Sequence, residues 1–477
     1  MREYDLIVIG SGSAMNFVDN LMQKDPNMKV AVVDKDEPGG ICLTRGCIPS
    51  KLLLYPAEIV RTIKRAGLFG INAEVKSIDF AKVMARMRSH VDPDIAMIRR
   101  GLMNTKNLDY YPATAEFTEP YTFKVGNETI KGKMIYLCTG SKPLIPIIKG
   151  LEAVGYHTSD TVLTLTKMPE SLIIIGGGYI AAEYGHFFSS MGSKVTIVGR
   201  NPHFIPEVEP EISALAEKDL QNRLKIIKNH EVQEVEKTPE DKKRVTAINR
   251  ATSEKIEVEA NEIMVAAGRA SNSDILHPER GGVKVDPKGW LIADEYMEGS
   301  QPNVWVMGDA DGKYPFKHVA NYESLIVYYN SVLKKKVKTD YHAVPYAVFT
   351  DPEIAGVGLG EKEAVEKYGD ENVLIGFYRY EDTAKGEAME VKDYFVKAIL
   401  LREGLKILGA HIVGPHASIL IHEVIALMYT HEQNAYPLIY AMHIHPALNE
   451  VVQRAFNSLM SIDEYHHILE HHYKIIS

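Results

Sequence analysis

Residues 4–34 read YDLIVIGSGSAMNFVDNLMQKDPNMKVAVVD. An apolar run ends at Gly10, and Gly10 and Gly12 form a Gly-x-Gly turn. A helical pattern follows, and a second apolar run closes on Asp34. This order predicts a βαβ unit built for a dinucleotide. Its glycines permit a tight turn and close approach to a pyrophosphate, which the N-terminus of the following helix attracts. Asp34 stands where an acidic side chain accepts hydrogen bonds from a ribose. The third glycine position is Met15, so helix and strand must pack differently there.

The pattern recurs at 171–200, SLIIIGGGYIAAEYGHFFSSMGSKVTIVGR, with Gly176, Gly178 and Ala181 at fingerprint spacing. One such match is weak, but two in the same strand–turn–helix–strand context predict two dinucleotide folds in one chain. The second strand of this repeat ends at Val198, followed by Gly199 and Arg200 rather than an acid. An acid there favours a ribose 2′-hydroxyl, whereas its loss with an arginine near by suits a 2′-phosphate. Arg200, with His203 beside it, therefore predicts NADPH over NADH.

At 477 residues the chain exceeds what one hydrophobic core serves, and three domain-sized units are expected. The net charge of −9 argues against a nucleic-acid surface. No apolar run is long enough to span a bilayer, and the first strand begins too early to leave room for a signal peptide. A cytoplasmic protein is expected.

Two of only three cysteines fall in GGICLTRGCIPSK (39–51), as Cys42 and Cys47 separated by four residues. A structural disulfide, a metal site, a buried pair and a reactive dithiol are the alternatives. In the expected compartment disulfides are usually catalytic or transient. No histidine flanks the pair, and its flanks form turns rather than core. Cysteines five positions apart on a regular helix are too distant to bridge, since a disulfide needs Cα atoms within about 7 Å. Gly46 and Pro49 favour an irregular turn entering a helix at SKLLLYPAEIV, where a helix N-terminus lowers a thiol pKa.

Further along, MIYLCTGSKPLIPIIKGL (134–151) reads as a strand running into a proline-rich crossover between domains. After about residue 339 strand-like segments precede helices such as ILIHEVIALMYTHEQ. The tail EYHHILEHHYKIIS sets His466, His467, His471 and His472 at helical spacing, read as an amphipathic helix rather than a metal site. Cys138, on an apolar strand, reads as a core residue.

Taken in order, the first fingerprint, the C-x4-C-x-P-S-K motif, CTGSKP, the second fingerprint, AAGRASN, VMGDA and HIHPALNE resemble the FAD-dependent pyridine nucleotide–disulfide oxidoreductases over essentially the whole chain. The resemblance implies an α/β fold of two Rossmann-like domains and a C-terminal α+β dimerisation domain, as in glutathione reductase. FAD would bind 1–145 with 275–338, NAD(P) would bind 146–274, and 339–477 would form the interface of a homodimer.

The same resemblance implies the site. Cys47 would be the thiol nearest the flavin and Cys42 the interchange thiol. His445 and Glu450 match the family's His–Glu dyad, a proton shuttle for thiol–disulfide exchange. Thr139 and Gly140 would line the FAD phosphates, and the Ala115 backbone would meet the adenine. Lys51 and Glu183 would lie by the isoalloxazine, Asp309 by the ribityl or phosphate region, and His318 by the pyrimidine end. Gly268, in AAGRASN, would be a further cofactor-binding position. Dihydrolipoamide is the default substrate. FKHVANYE and HIHPALNEVV look more like mycothione reductases, CIPSK is typical of dihydrolipoamide dehydrogenases, and the C-terminal vicinal cysteines of mercuric reductases are missing. The alternatives are an NADPH-dependent reductase of a small disulfide and a redox sensor without turnover. The partners expected are a second copy and a small disulfide or lipoyl-type substrate, with no nucleic acid or membrane.

Overall fold

The computed structural model describes residues 1–473, with side chains through His471. Strand Arg2–Ile9 runs through the middle of the first sheet, parallel to Val30–Val33 on one side and to Glu128–Leu137 on the other. Leu108–Tyr111 extends the Val30–Val33 edge. The far edge of Glu128–Leu137 is divided: its first half pairs antiparallel with Thr122–Val125, its last half parallel with Val304–Val306. The chain thus leaves this sheet at Leu137 and returns to it 167 positions later in the numbering, at Val304. The continuous apolar runs explain the burial of both faces. Ile7 and Ile9 join one core cluster and Leu6 and Val8 another.

The second sheet is wholly parallel, in the order Lys225–Ile227, Lys194–Val198, Ser171–Ile175, Glu262–Val265, His157–Thr158. A three-stranded antiparallel sheet, His230–Lys237, Lys243–Asn249 and Lys255–Ala260, packs beside it. Two chain crossings join the first two units, Ser141–Pro143 and Arg269–Ser271, which pair antiparallel with each other. The third unit is a six-stranded antiparallel sheet from Pro345–Val348 to Leu459–Met460, with helices Ala417–Met428 and Glu450–Asn457 in its core.

The first glycine of each fingerprint solves the same steric problem. Gly10 has φ +101°, and a Cβ there would fall 2.1 Å from the Cys138 carbonyl oxygen. Gly176 has φ +133°, and its Cβ would fall 2.1 Å from that of Ala266. In both sheets the turn presses against the carbonyl that ends the neighbouring parallel strand, so only glycine fits. The departure at Met15 has a visible consequence. Residues Ser13–Phe17 form a 3₁₀ turn, the α-helix starts only at Val18, and Met15 packs against the core cluster to which Leu6, Val8 and Val30 belong.

Candidate active site

A cleft of about 800 Å³ opens at the C-terminal ends of the first sheet. Its lining includes Gly10, Gly12, Asp34, Cys42, Cys47, Lys51, Ala115, Thr139, Gly140, Glu183, Asp309 and His318. Pro345, Phe349 and His422 of the third unit line it as well, so residues from every unit meet at one place.

Cys42 lies on the short helix Gly40–Thr44, and Cys47 begins the helix Cys47–Arg65, with Arg45 and Gly46 breaking the path between. The long helix starts earlier than SKLLLYPAEIV predicted. Pro49 is tolerated in its first turn because no backbone N–H there has an intrahelical partner to lose. The Cys42 thiol donates a hydrogen bond to the Cys47 sulfur. That bond, with the Lys51 ammonium near by, pulls Cys47 down to about 6 despite burial. The same bond, together with burial, pushes Cys42 well up. One sulfur of the pair is thus prepared as a thiolate and the other holds the proton.

Lys51 Nζ sits 2.8 Å from Glu183 Oε2, and Glu183 Oε1 also accepts the Phe349 N–H at 3.0 Å. Helix Cys47–Arg65, helix Tyr179–Met191 and the third unit are joined by this pair. Arg45 braces the redox turn from outside, its Nη2 2.6 Å from Asp36 and its Nε 3.0 Å from Asp160.

His445 and Glu450 do form a dyad: His445 Nδ1 lies 3.0 Å from Glu450 Oε1. Glu450 is buried and His445 largely exposed, and neither lines the cleft that holds the two thiols. Tyr440, Met442 and Ile444, which precede the histidine in the chain, are exposed too. His443, two residues earlier, is turned inward, with Nε2 3.7 Å from Glu423.

Residues 4–324 match the family model described as pyridine nucleotide-disulphide oxidoreductase, and 344–456 match its dimerisation domain. The chain belongs to the pyridine nucleotide–disulphide oxidoreductase family. Within that family it is 34% identical to a mycothione reductase of Mycobacterium tuberculosis, covering 96% of this chain and 100% of the relative. It is 32% identical to a dihydrolipoyl dehydrogenase of Chlamydia trachomatis, covering 96% and 97%. Among solved structures, the Cu(II) complex of the HOCl-induced flavoprotein disulfide reductase RclA from Escherichia coli superposes with a TM-score of 0.84. That match has 26% identity and covers 96% of this chain and 99% of RclA.

Flavoprotein disulfide reductases of this family work with FAD and a nicotinamide nucleotide, and the cleft fits the former. Thr139 Oγ1 faces it buried and without a hydrogen-bond partner among the described residues, as a group awaiting a ligand would be. Asp34 accepts hydrogen bonds from Ser11 N–H, Ser11 Oγ–H and Asp36 N–H. A carboxylate has about four acceptor sites, so one stays open to a ribose. Asp309 accepts from Ser141 Oγ at 2.5 Å. The His318 ring is engaged by the Pro345 carbonyl at 2.8 Å.

Gly176, Gly178, Arg200 and Gly268 stand outside this cleft, although Tyr179 and Arg269 reach it. The Arg200 side chain is exposed and has no ion pair or hydrogen bond among the described residues; His203 is exposed too. Cys138 is less enclosed than a core position, lining the cleft edge, but burial of its sulfur pushes the thiol well up, which leaves it protonated. His466 pairs with Glu361 at 2.7 Å and His471 bonds the His467 carbonyl, while the His472 side chain lies outside the described residues.

Sequence reasoning missed several groups at the site. Asn272 Nδ2 holds the Thr139 carbonyl at 2.9 Å, and Arg269 holds Ser141 through Oγ and the carbonyl. Both lie inside AAGRASN, so the motif carried the signal but not the role. Lys317 and Glu323 lie inside FKHVANYE and Arg45 inside GGICLTRGCIPSK, and again the motifs carried no role for these side chains.

Proposed function

We propose that the protein is an FAD-dependent reductase that draws electrons from NADPH and reduces a small disulfide. The observation that carries this reading is that Cys42 and Cys47 line one cleft together, beside the Lys51–Glu183 pair. Residues 1–145 with 275–338 would hold FAD, 146–274 the nicotinamide nucleotide, and 339–477 the interface of a homodimer in the cytoplasm. Bound in the cleft, FAD would carry two electrons between nicotinamide and sulfur.

The chain's own residues do the rest. Two electrons break the Cys42–Cys47 bond, leaving Cys47 as thiolate beside Lys51 and Cys42 with the proton. Cys42 gives that proton to His445 of the partner subunit, whose imidazolium Glu450 stabilises, and attacks the substrate disulfide. A Cys42–substrate disulfide forms, and the first substrate thiolate leaves with the proton from the histidine. Cys47 then attacks the Cys42 sulfur, which restores the disulfide and releases the second thiolate. Exposure of His445, its absence from its own chain's cleft and the matched dimerisation domain support delivery across an interface.

The sequence CIPSK favours a second reading, oxidation of a dihydrolipoamide-type dithiol with NAD⁺. Turnover of the purified protein with lipoamide, glutathione disulfide and mycothione, each with both nucleotides, tests the choice. The expected result is NADPH-driven reduction of a low-molecular-weight disulfide. Faster reduction of NAD⁺ by dihydrolipoamide would install the second reading instead.

A further inference from the structure

Glu450 serves a second cation besides His445. It is the first residue of helix Glu450–Asn457, and Arg454 stands one turn on, with Nη2 3.5 Å from Glu450 Oε1. The same oxygen is 3.0 Å from His445 Nδ1, and Oε2 accepts the Ala447 N–H at 3.2 Å. These contacts, the His445 ring above all, hold the Glu450 carboxyl below the usual carboxylate range despite burial. Ion pairs four residues apart are common on helix surfaces and contribute little there. Here the carboxylate is buried and one of its oxygens is shared with an imidazole, so the guanidinium charge is felt at the ring.

The guanidinium is aimed by a second element. Arg454 Nη1 donates to the Tyr378 hydroxyl at 3.0 Å, and the guanidinium lies over the Tyr378 ring, 5.6 Å from its centre. The Tyr378 hydroxyl gives its own proton to the Asp382 carbonyl at 3.3 Å, which leaves a lone pair for Arg454. Tyr378 belongs to strand Val373–Arg379 of the six-stranded sheet, so the sheet holds the arginine against the dyad. Among the described residues Glu450 is the only carboxylate that Arg454 meets. His443, the other histidine of the segment, is turned away to Glu423 on helix Ala417–Met428. A carboxylate only accepts, so His445 Nδ1 carries a proton and Nε2 is left to take one from Cys42. Glu450 alone would draw that second proton onto the ring, and Arg454 offsets part of the pull.

We propose that Arg454 sets the pH range of the dyad: by sharing Glu450 with His445, it keeps the imidazole neutral, ready for the Cys42 proton, down to a lower pH than an unshared carboxylate would allow. This rests on the reading of His445 as the base. Arg454 acts only through Glu450 and is a positioning residue.

Diethyl pyrocarbonate acylates the neutral imidazole, and the largely exposed His445 ring is open to it. Its rate at His445 as a function of pH, resolved by peptide mass spectrometry on the FAD-loaded protein, reads the ring without any substrate. Arg454→Gln and Arg454→Met are each expected to raise the His445 midpoint by about half a pH unit, with roughly threefold slower acylation below it. Arg454→Lys should restore the midpoint, and Tyr378→Phe, which loosens the guanidinium, should fall between. The acid limb of kcat/KM with lipoamide, glutathione disulfide or mycothione should move by the same amount. An unchanged midpoint in both neutral variants would overturn the proposal, and so would an equal shift in Arg454→Lys, where the charge is kept. Should the neutral variants fail to fold, an unchanged midpoint in Tyr378→Phe overturns it instead. Wild-type rates of disulfide reduction in His445→Gln would remove the base reading, while the acylation profiles still decide the role of Arg454.

Discussion

His445 Nδ1 lies 3.0 Å from Glu450 Oε1, yet the pair stands outside the cleft that Cys42 and Cys47 line in the same chain. A dyad so built has its carboxylate anchored and its imidazole presented outward, which suits delivery into a neighbouring subunit. Co-expression of His445→Gln chains with Cys47→Ser chains should therefore restore up to half of the sites in mixed dimers. Verified heterodimers without activity would place the base within its own subunit.

The division of labour between the sulfurs is visible in absorbance. Reduced protein should show a long-wavelength thiolate-to-flavin band that survives Cys42→Ser and vanishes in Cys47→Ser. Because Cys47 is drawn down to about 6, the thiolate and its band should persist on acidification until about that pH. Lys51→Met should move the loss to higher pH. A band that depends on Cys42 instead would reverse the assignment.

Cofactor choice turns on Gly199 and Arg200. Arg200 is exposed and unpartnered among the described residues, free to meet a 2′-phosphate. A charge-assisted contact of that kind adds roughly 1.5–3 kcal/mol, or about one to two decades in affinity. Wild type should favour NADPH in kcat/KM, and Gly199→Glu should shift the ratio toward NADH. A Cβ at 199 would stand 3.3 Å from the Gly177 Cα, so Gly199→Ala is the control for crowding. A tenfold wild-type preference for NADH would refute the assignment.

Glu323 is buried beneath the Gly308–Asp309 turn, accepting the Gly308 N–H at 2.6 Å and the Tyr341 hydroxyl at 2.7 Å. Burial, with the Asp311 charge adding to it, pushes Glu323 from 4.5 up to about 8. The folded chain thus keeps a proton that the unfolded chain releases. This group's contribution to stability is complete below about 4.5 and declines as pH rises to about 8. Glu323→Gln should flatten that part of the pH–stability curve in denaturant titrations. An identical slope in both proteins would contradict the buried protonated carboxyl.

Lys397 is buried among three carboxylates, 2.5 Å from Glu209, 2.6 Å from Glu211 and 2.7 Å from Glu361. Lys397→Met would leave those charges uncompensated. Urea unfolding should show a loss of roughly 3–5 kcal/mol. A loss below about 1 kcal/mol would mean that the carboxylates neutralise themselves by taking up protons.

Local chemistry was legible in the sequence because it depends on residues close together along the chain. Gly10 and Gly176 announce their turns, since only glycine can adopt those φ values against a carbonyl. The Cys42–Cys47 spacing with Gly46 and Pro49 announced a broken helix, and the buried apolar runs announced parallel strands. The family followed from the order of these motifs.

What remained for the tertiary structure was every relationship between distant segments. Lys317 and Ser13 are 304 positions apart in the numbering, and no spacing rule links them. Met15 stands where the third fingerprint glycine would, the turn there is 3₁₀, and Ser13 at its start accepts a hydrogen bond from Lys317 Nζ at 2.8 Å. Likewise, the His–Glu spacing foretold the dyad of His445 and Glu450, but that Glu450 is buried at the start of its helix while the imidazole stays exposed emerges only in the folded chain. Local sequence sets which groups are present and how the backbone turns; long-range packing sets which charge each group must answer.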